Sequence, residues 1–137
     1  MTLEEFRLAH SELVEHYQFI ESHLERIYSC LSNKPFYDGL IEVERDTIPK
    51  LMKRIRAIQK KKGKTILTED EFGTIERICS RRNFWCHSCY VELSFDYKTG
   101  NLKRIVDANS MKKDLAEAKE IRDWLFEKMV PLLQDKR

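Results

Sequence analysis

The chain has 137 residues, of which 42% are hydrophobic and 35% charged, with four glycines and three prolines. This composition is too apolar for intrinsic disorder and too poor in turn residues for a sandwich of many short strands, so we expect one mostly helical domain over residues 1–137. No apolar run reaches the roughly 18–20 residues that span a bilayer, and no basic, apolar leader opens the chain, which favours a cytoplasmic protein.

The first predicted helix covers residues 3–31. A threonine–glutamate capping box precedes it, and its apolar residues alternate steps of three and four. His10 fills the one gap in this apolar stripe, so we expect it to be a hydrogen-bonded core or interface residue. His16 and His23 lie off the stripe and are expected to be solvated.

A second helical stretch is predicted over residues 37–62. Pro49 removes one backbone donor inside it. The stretch is therefore either kinked at Pro49 or split in two, with Asp46 or Thr47 capping the second piece. Gly63 is expected to end it.

Positive charge is concentrated in this second stretch. Residues 1–46 carry 4 basic and 10 acidic side chains, whereas residues 47–68 carry 8 basic and no acidic ones. A cationic face of this kind attracts polyanions through counterion release without reading their sequence, although a solvated helix face shows the same pattern. The candidate nucleic-acid contacts are Lys53, Arg54, Arg56, Lys60, Lys61, Lys62 and Lys64.

A third helix is predicted over residues 69–92, behind a second capping box. Arg82 interrupts its apolar stripe and carries a large desolvation penalty unless an anion meets it. A short hairpin or structured loop around Gly100 and Asn101 follows, and a last helix is expected after a cap at Ser110. Four or five helices joined by short loops predict an all-α, up-and-down bundle.

The third helix also carries the most chemistry in the chain. Asn83, His87 and Tyr90 are spaced by four and three residues, so they project from one side of the helix. Arg82 lies about 100° away from Asn83. Together these side chains offer a permanent cation for a phosphate, an amide for orientation and an imidazole that titrates near neutrality. RNA cleavage without a metal needs these parts, because the 2′-hydroxyl loses a proton as it attacks phosphorus and the 5′-oxygen gains one as it leaves.

This segment resembles the signature of the HEPN domains (higher eukaryotes and prokaryotes nucleotide-binding). The signature is an Arg followed by four to six residues and a His, often with Asn, Asp or His directly after the Arg, and here Arg82, Asn83 and His87 take those places. In a chain of this composition a His five places after an Arg is expected about 0.3 times by chance, and about 0.01 times when Asn must follow the Arg. Arg81 also fits the permitted spacing, but the polar neighbour favours Arg82.

The resemblance implies a metal-independent endoribonuclease that uses no cofactor and leaves a 2′,3′-cyclic phosphate and a 5′-hydroxyl. Arg82 would clamp the scissile phosphate, His87 would act as general base or acid, and Asn83 would orient His87 or the ribose. Arg81 and Tyr90 are candidates for supporting roles. The family usually forms homodimers whose motifs face each other across a cleft, and many bacterial members are toxins or phage-defence effectors controlled by an antitoxin. Tyr90 stands three residues after His87 instead of two, which departs from the subgroup whose tyrosine the partner modifies.

Three of the four cysteines lie near His87 on the same predicted helix, which suggests either zinc or a nucleophilic Cys–His pair. Zinc sites in small domains usually combine two ligand pairs, and only one further thiol is present. The neighbouring Cys86 and His87 diverge by about 100° on a helix, which is unfavourable for a nucleophilic pair. We therefore expect reduced thiols and no bound metal at Cys30, Cys79, Cys86 and Cys89.

The main alternative to an enzyme is a non-catalytic binding module. A helical bundle of this kind would hold nucleic acid or an acidic protein on its lysine-rich face and assemble as a dimer. Arg82 and His87 would then be a buried polar pair at the dimer interface. Cleavage of RNA in the presence of EDTA separates the two interpretations.

Overall fold

The computed structural model describes residues 1–136, and most of them are helical. Its elements are α1 (Leu3–Leu31), α2 (Phe36–Val43), α3 (Ile48–Lys62), α4 (Glu69–His87), a π-helical turn (Tyr90–Ser94), β1 (Phe95–Asp96), β2 (Asn101–Leu102) and α5 (Asn109–Lys136). The predicted all-α helical bundle, with a short hairpin before the last helix, is confirmed. In this part of the chain no helix combines the length and the hydropathy that a membrane span requires.

Capping boxes define where α1 and α4 begin. The Thr2 hydroxyl accepts a hydrogen bond from the backbone N–H of Glu5, and the Glu5 carboxylate accepts one from the N–H of Thr2, each at 3.2 Å. Thr68 and Glu71 repeat the same pair of bonds in front of α4. Both starts are at the predicted residues because each cap satisfies two backbone donors that a helix start leaves free.

The second helical stretch is split at Pro49. Val43 ends α2, and the Thr47 hydroxyl caps α3 by accepting from the N–H of Lys50 at 3.3 Å. Pro49 lies in the first turn of α3, where a backbone N–H has no partner within the helix, so the absence of this donor removes no hydrogen bond. Gly63 ends the helix with φ 64°, a left-handed conformation that favours glycine.

The helix α1 is the centre of the bundle and packs most extensively against α5. The Ser32 carbonyl, just beyond α1, accepts a hydrogen bond from Lys136 at the end of α5, so these two helices run in the same direction. In contrast, α4 runs antiparallel to α1, because His10 near the start of α1 contacts Trp85 near the end of α4. The end of α4 therefore lies beside the first third of α1.

Two helix boundaries differ from the predicted ones. The α-helical hydrogen bonding of α4 ends at His87 instead of residue 92, because the backbone of Ser88 leaves the helical region and a π-helical turn follows. Ser110 does not cap α5, which already begins at Asn109. Instead, the carboxylate of Asp107, which precedes the helix, accepts a hydrogen bond from the backbone N–H of Asn109 at 3.0 Å.

The expectation that His16 and His23 are solvated is wrong. Only 6% and 5% of their surfaces are exposed, because α5 covers a second face of α1 beside the apolar stripe. The Nδ1 atom of His16 accepts from the Arg122 guanidinium at 3.1 Å. Burial, together with the charges of Arg26 and Arg122, lowers the pKa of His23 to about 4.

Candidate functional site

The motif lies on the C-terminal half of α4, and its polar residues are largely uncovered. Asn83 and His87 are exposed and one helical turn apart, whereas Trp85 is buried and anchors the inner face of the helix. Five positions along an α-helix correspond to about 140° of rotation and about 7.5 Å of rise. Arg82 and His87 therefore leave the helix in different directions, and only Asn83 shares a face with His87.

The anion beside Arg82 is the carboxylate of Glu21 on α1. An Nη atom of Arg82 donates to Oε2 of Glu21 at 3.3 Å, and the two side chains are 32% and 27% exposed. This contact explains how the stripe accommodates an arginine without any bound phosphate. It uses one of the five N–H donors of the guanidinium, so the other donors remain available to a ligand.

Arg81, the second candidate arginine, is engaged much more tightly. Its Nε donates to Oδ2 of Asp114 on α5 at 2.6 Å, and the same oxygen accepts from the indole Nε1 of Trp85 at 2.7 Å. The guanidinium carbon of Arg81 also lies 5.0 Å from the ring centroid of Phe84. Arg81 thus holds α4 against α5, which leaves Arg82 as the less constrained cation.

His87 is the last residue of α4 and its side chain is exposed. Within residues 1–136 its imidazole makes no hydrogen bond, so both ring nitrogens are accessible to a substrate. Asn83 precedes it by one turn on the same face, which is the placement expected of an amide that orients an imidazole or a ribose. The structure thus places the imidazole and the amide of the motif on one face of the helix.

Tyr90 faces inward and contacts His10 on α1. Its hydroxyl is 3.3 Å from Nδ1 of His10, and Nε2 of His10 is 2.7 Å from the backbone carbonyl of Trp85. Burial raises the pKa of the Tyr90 hydroxyl. The prediction that His10 is a hydrogen-bonded residue is confirmed. The position of His10 in the gap of the apolar stripe indicated a hydrogen-bonded residue. The spacing could not show that the partners of His10 are the Trp85 carbonyl and the Tyr90 hydroxyl.

The lysine-rich segment is only partly free of ion pairs. Arg54 contacts the carboxylates of Asp46 at 2.6 Å and Glu42 at 3.0 Å, and Arg56 contacts Glu69 at 3.1 Å. These acidic residues lie outside the cationic stretch in sequence and fold back onto it. The candidates that are exposed and form no ion pair within the described residues are Lys53, Lys60, Lys61, Lys62 and Lys64.

The cysteines are free thiols of differing exposure. Cys86 is exposed, Cys30 and Cys79 are half-buried, and Cys89 is buried. Burial raises the pKa of the Cys79 and Cys89 thiols, which keeps them protonated. Among residues 1–136, no three His, Cys, Asp or Glu side chains are grouped so that they could hold a metal ion.

No family model matches the sequence, and no match was found among curated proteins or solved structures. The similarity to the HEPN signature therefore depends on Arg82, Asn83 and His87 in their helical setting. Function has to be inferred from the chemistry of these side chains and from the surfaces around them.

Proposed function

We propose that this protein is a metal-independent endoribonuclease of HEPN type, which cleaves RNA by attack of the 2′-hydroxyl on the adjacent phosphorus. The observation that carries the proposal is the uncovered end of α4. There an exposed imidazole and an exposed amide lie one turn apart on one face, and the guanidinium of Arg82, which donates to Glu21, leaves the same half of the helix in another direction. The all-α architecture and the signature spacing agree with this proposal.

Each motif residue has a distinct role in the proposed reaction. His87 removes the proton from the 2′-hydroxyl while a water molecule protonates the departing 5′-oxygen, or His87 protonates the 5′-oxygen while a water molecule takes the 2′-hydroxyl proton. The P–O5′ bond breaks as the P–O2′ bond forms, giving a 2′,3′-cyclic phosphate and a 5′-hydroxyl. Arg82 stabilises the charge that builds up on the non-bridging oxygens, and Asn83 orients His87 or the ribose.

The geometry of the helix favours a homodimer as the active species. Because Arg82 and His87 project about 140° apart, one α4 helix does not direct both groups at the same phosphate. Two copies that bring the ends of their α4 helices together would place the guanidinium of one copy near the imidazole of the other. We therefore propose that the active species is a dimer with a composite site.

The free lysines and thiols indicate the setting in which the enzyme works. Lys53 and Lys60 to Lys64 attract the RNA backbone without selecting a sequence. Four free thiols are suited to the reducing conditions of the cytoplasm. A toxin or phage-defence role, restrained by an antitoxin, is the biological context that the resemblance implies.

The test uses labelled single-stranded RNA incubated with the purified protein in EDTA. We expect cleavage with 2′,3′-cyclic phosphate ends, loss of cleavage in His87→Ala and Arg82→Ala, and no cleavage of a substrate with a 2′-deoxyribose at the scissile position. Light scattering checks that both variants keep the oligomeric state of the wild type. Cleavage that requires an added metal ion, or that persists in His87→Ala, would contradict the proposal.

A non-catalytic binding module is the second candidate, and the contact between Arg82 and Glu21 favours it. This ion pair gives Arg82 a structural partner inside the monomer, so catalysis is not needed to explain its position. A shift of intact RNA in a gel, without cleavage at any protein concentration, would support the module and refute the nuclease.

A further inference from the structure

His10 makes two hydrogen bonds that lie on either side of His87 along the chain. One bond goes to the carbonyl of Trp85, two residues before His87, and the other to the hydroxyl of Tyr90, three residues after it. His10 comes from α1, so a separate helix holds the segment that contains the exposed imidazole. We call His10 and Tyr90 the α4 latch.

The carbonyl of Trp85 determines which ring nitrogen of His10 donates a hydrogen bond. A carbonyl only accepts, so Nε2 of His10 carries the hydrogen that is donated over 2.7 Å. In the neutral ring Nδ1 is then the acceptor, and the Tyr90 hydroxyl donates to it over 3.3 Å. The Trp85 carbonyl lies in the last turn of α4, where carbonyls often need partners from outside the helix, and the Cys89 thiol also donates to it at 3.1 Å. His10 therefore acts as a cap that a neighbouring helix provides.

Aromatic packing holds the latch in one orientation. The His10 ring stacks on Phe6 with centroids 6.1 Å apart, and the Tyr90 ring meets His10 edge-on at 4.9 Å. Phe6 also meets Tyr90 edge-on at 5.3 Å, which closes a three-ring cluster. Phe6 is fully buried, so the α4 latch packs against the hydrophobic core of the bundle.

We propose that His10 is a positioning residue for His87, and that with Tyr90 it fixes the direction in which the His87 imidazole leaves the end of α4. This inference rests on the proposed function. The last turn of a helix frays readily, and among the described residues the His87 side chain has no hydrogen-bond partner to hold it. Proton transfer needs a heavy-atom separation of about 2.6–3.2 Å, so the latch supplies an orientation that the helix end alone does not.

Three substitutions separate positioning from stability. His10→Phe keeps a ring that can stack on Phe6 but removes both hydrogen bonds, whereas His10→Gln retains an amide donor near the position of Nε2. Tyr90→Phe removes only the hydroxyl. Tyr37→Phe is the matched control, because the side chain of Tyr37 is exposed and lies outside the latch.

The experiment measures single-turnover RNA cleavage and the NMR signals of the His87 ring in labelled protein. For His10→Phe we expect the single-turnover rate constant at saturating protein to fall by roughly 10- to 100-fold, since a misplacement of about 1 Å costs up to 100-fold. The protein concentration that gives half of the maximal rate should change little. His10→Gln should recover part of this loss, and Tyr90→Phe should show a smaller one. The His87 signals should shift or broaden in His10→Phe and Tyr90→Phe, but not in Tyr37→Phe.

The possible outcomes separate this inference from the proposed function. Unchanged His87 signals in folded His10→Phe and Tyr90→Phe proteins would overturn the positioning role, even if thermal stability falls. If His10→Phe does not fold, Tyr90→Phe and His10→Gln provide the same comparison. If the wild type cuts no RNA, the proposed function fails, and the His87 signals alone then decide whether the latch orients the ring.

Discussion

Arg81 and Arg82 are sequence neighbours, and their substitution should have opposite consequences. Arg81→Ala leaves the Asp114 carboxylate, whose side chain is 9% exposed, with the indole of Trp85 as its remaining donor. Removing one partner of a fully buried pair costs about 3–5 kcal/mol, and since Arg81 itself is 40% exposed we expect about 2 kcal/mol. Cleavage by the folded protein should remain.

For Arg82→Ala we expect a small loss of stability and a large loss of RNA cleavage. The contact with Glu21 is long and both side chains are partly solvated, so its loss should cost about 0.5 kcal/mol. Cleavage should fall by at least about 1000-fold, the range seen when a positioned cation is removed from phosphoryl transfer. The stability difference between the two variants corresponds to a difference in Tm of roughly 5 °C for a chain of this size.

Urea denaturation followed by tryptophan fluorescence measures the stability of each variant, and labelled RNA measures cleavage. Arg77→Ala is the matched control, because Arg77 also pairs across α4 and α5, with Glu117, but its side chain is 63% exposed. It should change stability by less than about 0.5 kcal/mol. Equal destabilisation by Arg81→Ala and Arg82→Ala, or loss of cleavage in folded Arg81→Ala, would refute this reasoning.

Three further predictions concern the surroundings of the motif. Glu21→Gln removes the charge that competes with phosphate for Arg82, so RNA binding, measured by fluorescence anisotropy in a His87→Ala background, should tighten roughly two- to fivefold. Replacing Lys60, Lys61 and Lys62 by Ala should weaken RNA binding and reduce the slope of log K against log salt by up to about 2, while single-turnover cleavage at saturating protein is retained. The lowered pKa of His23 means that the unfolded chain binds a proton which the folded protein does not, so the free energy of unfolding should fall as the pH drops from 6.5 towards 4, by up to about 3 kcal/mol. This contribution should be absent in His23→Gln.

Each of these expectations has a contrary result. Weaker RNA binding by Glu21→Gln would show that Glu21 positions Arg82 and does not compete with the substrate. A loss of single-turnover cleavage at saturating protein in the triple lysine variant would place these lysines in the active site. An unchanged pH dependence of unfolding in His23→Gln would assign the acid sensitivity to another group.

The helix starts could be predicted because their causes are local. Thr2 and Thr68 each stand three residues before a glutamate, and this spacing alone satisfies the first free backbone donors of a helix. The split at Pro49 follows equally from one residue and its neighbours. The end of α4 was harder to predict, because it depends on a π-helical turn that no local signal announces.

The environment of buried polar groups depends on which helices become neighbours, so it could not be predicted from spacing. His23 lies off the apolar stripe of α1, and a second covering helix, α5, is what buries it. Likewise, the spacing showed that Arg82 needs an anion but could not identify Glu21, which is 61 residues away in the chain. The sequence pattern thus identified Arg82 as a residue that needs a partner but did not identify His23, and the tertiary fold determined the surroundings of both.

Two independent contacts hold Trp85 at the end of α4. His10 holds the Trp85 carbonyl from one side, and Asp114 holds the Trp85 indole from the other. The tip of the following hairpin, from Tyr97 to Gly100, is exposed and contributes to neither anchor. Changes in the length or sequence of this tip should therefore leave both anchors of Trp85 in place.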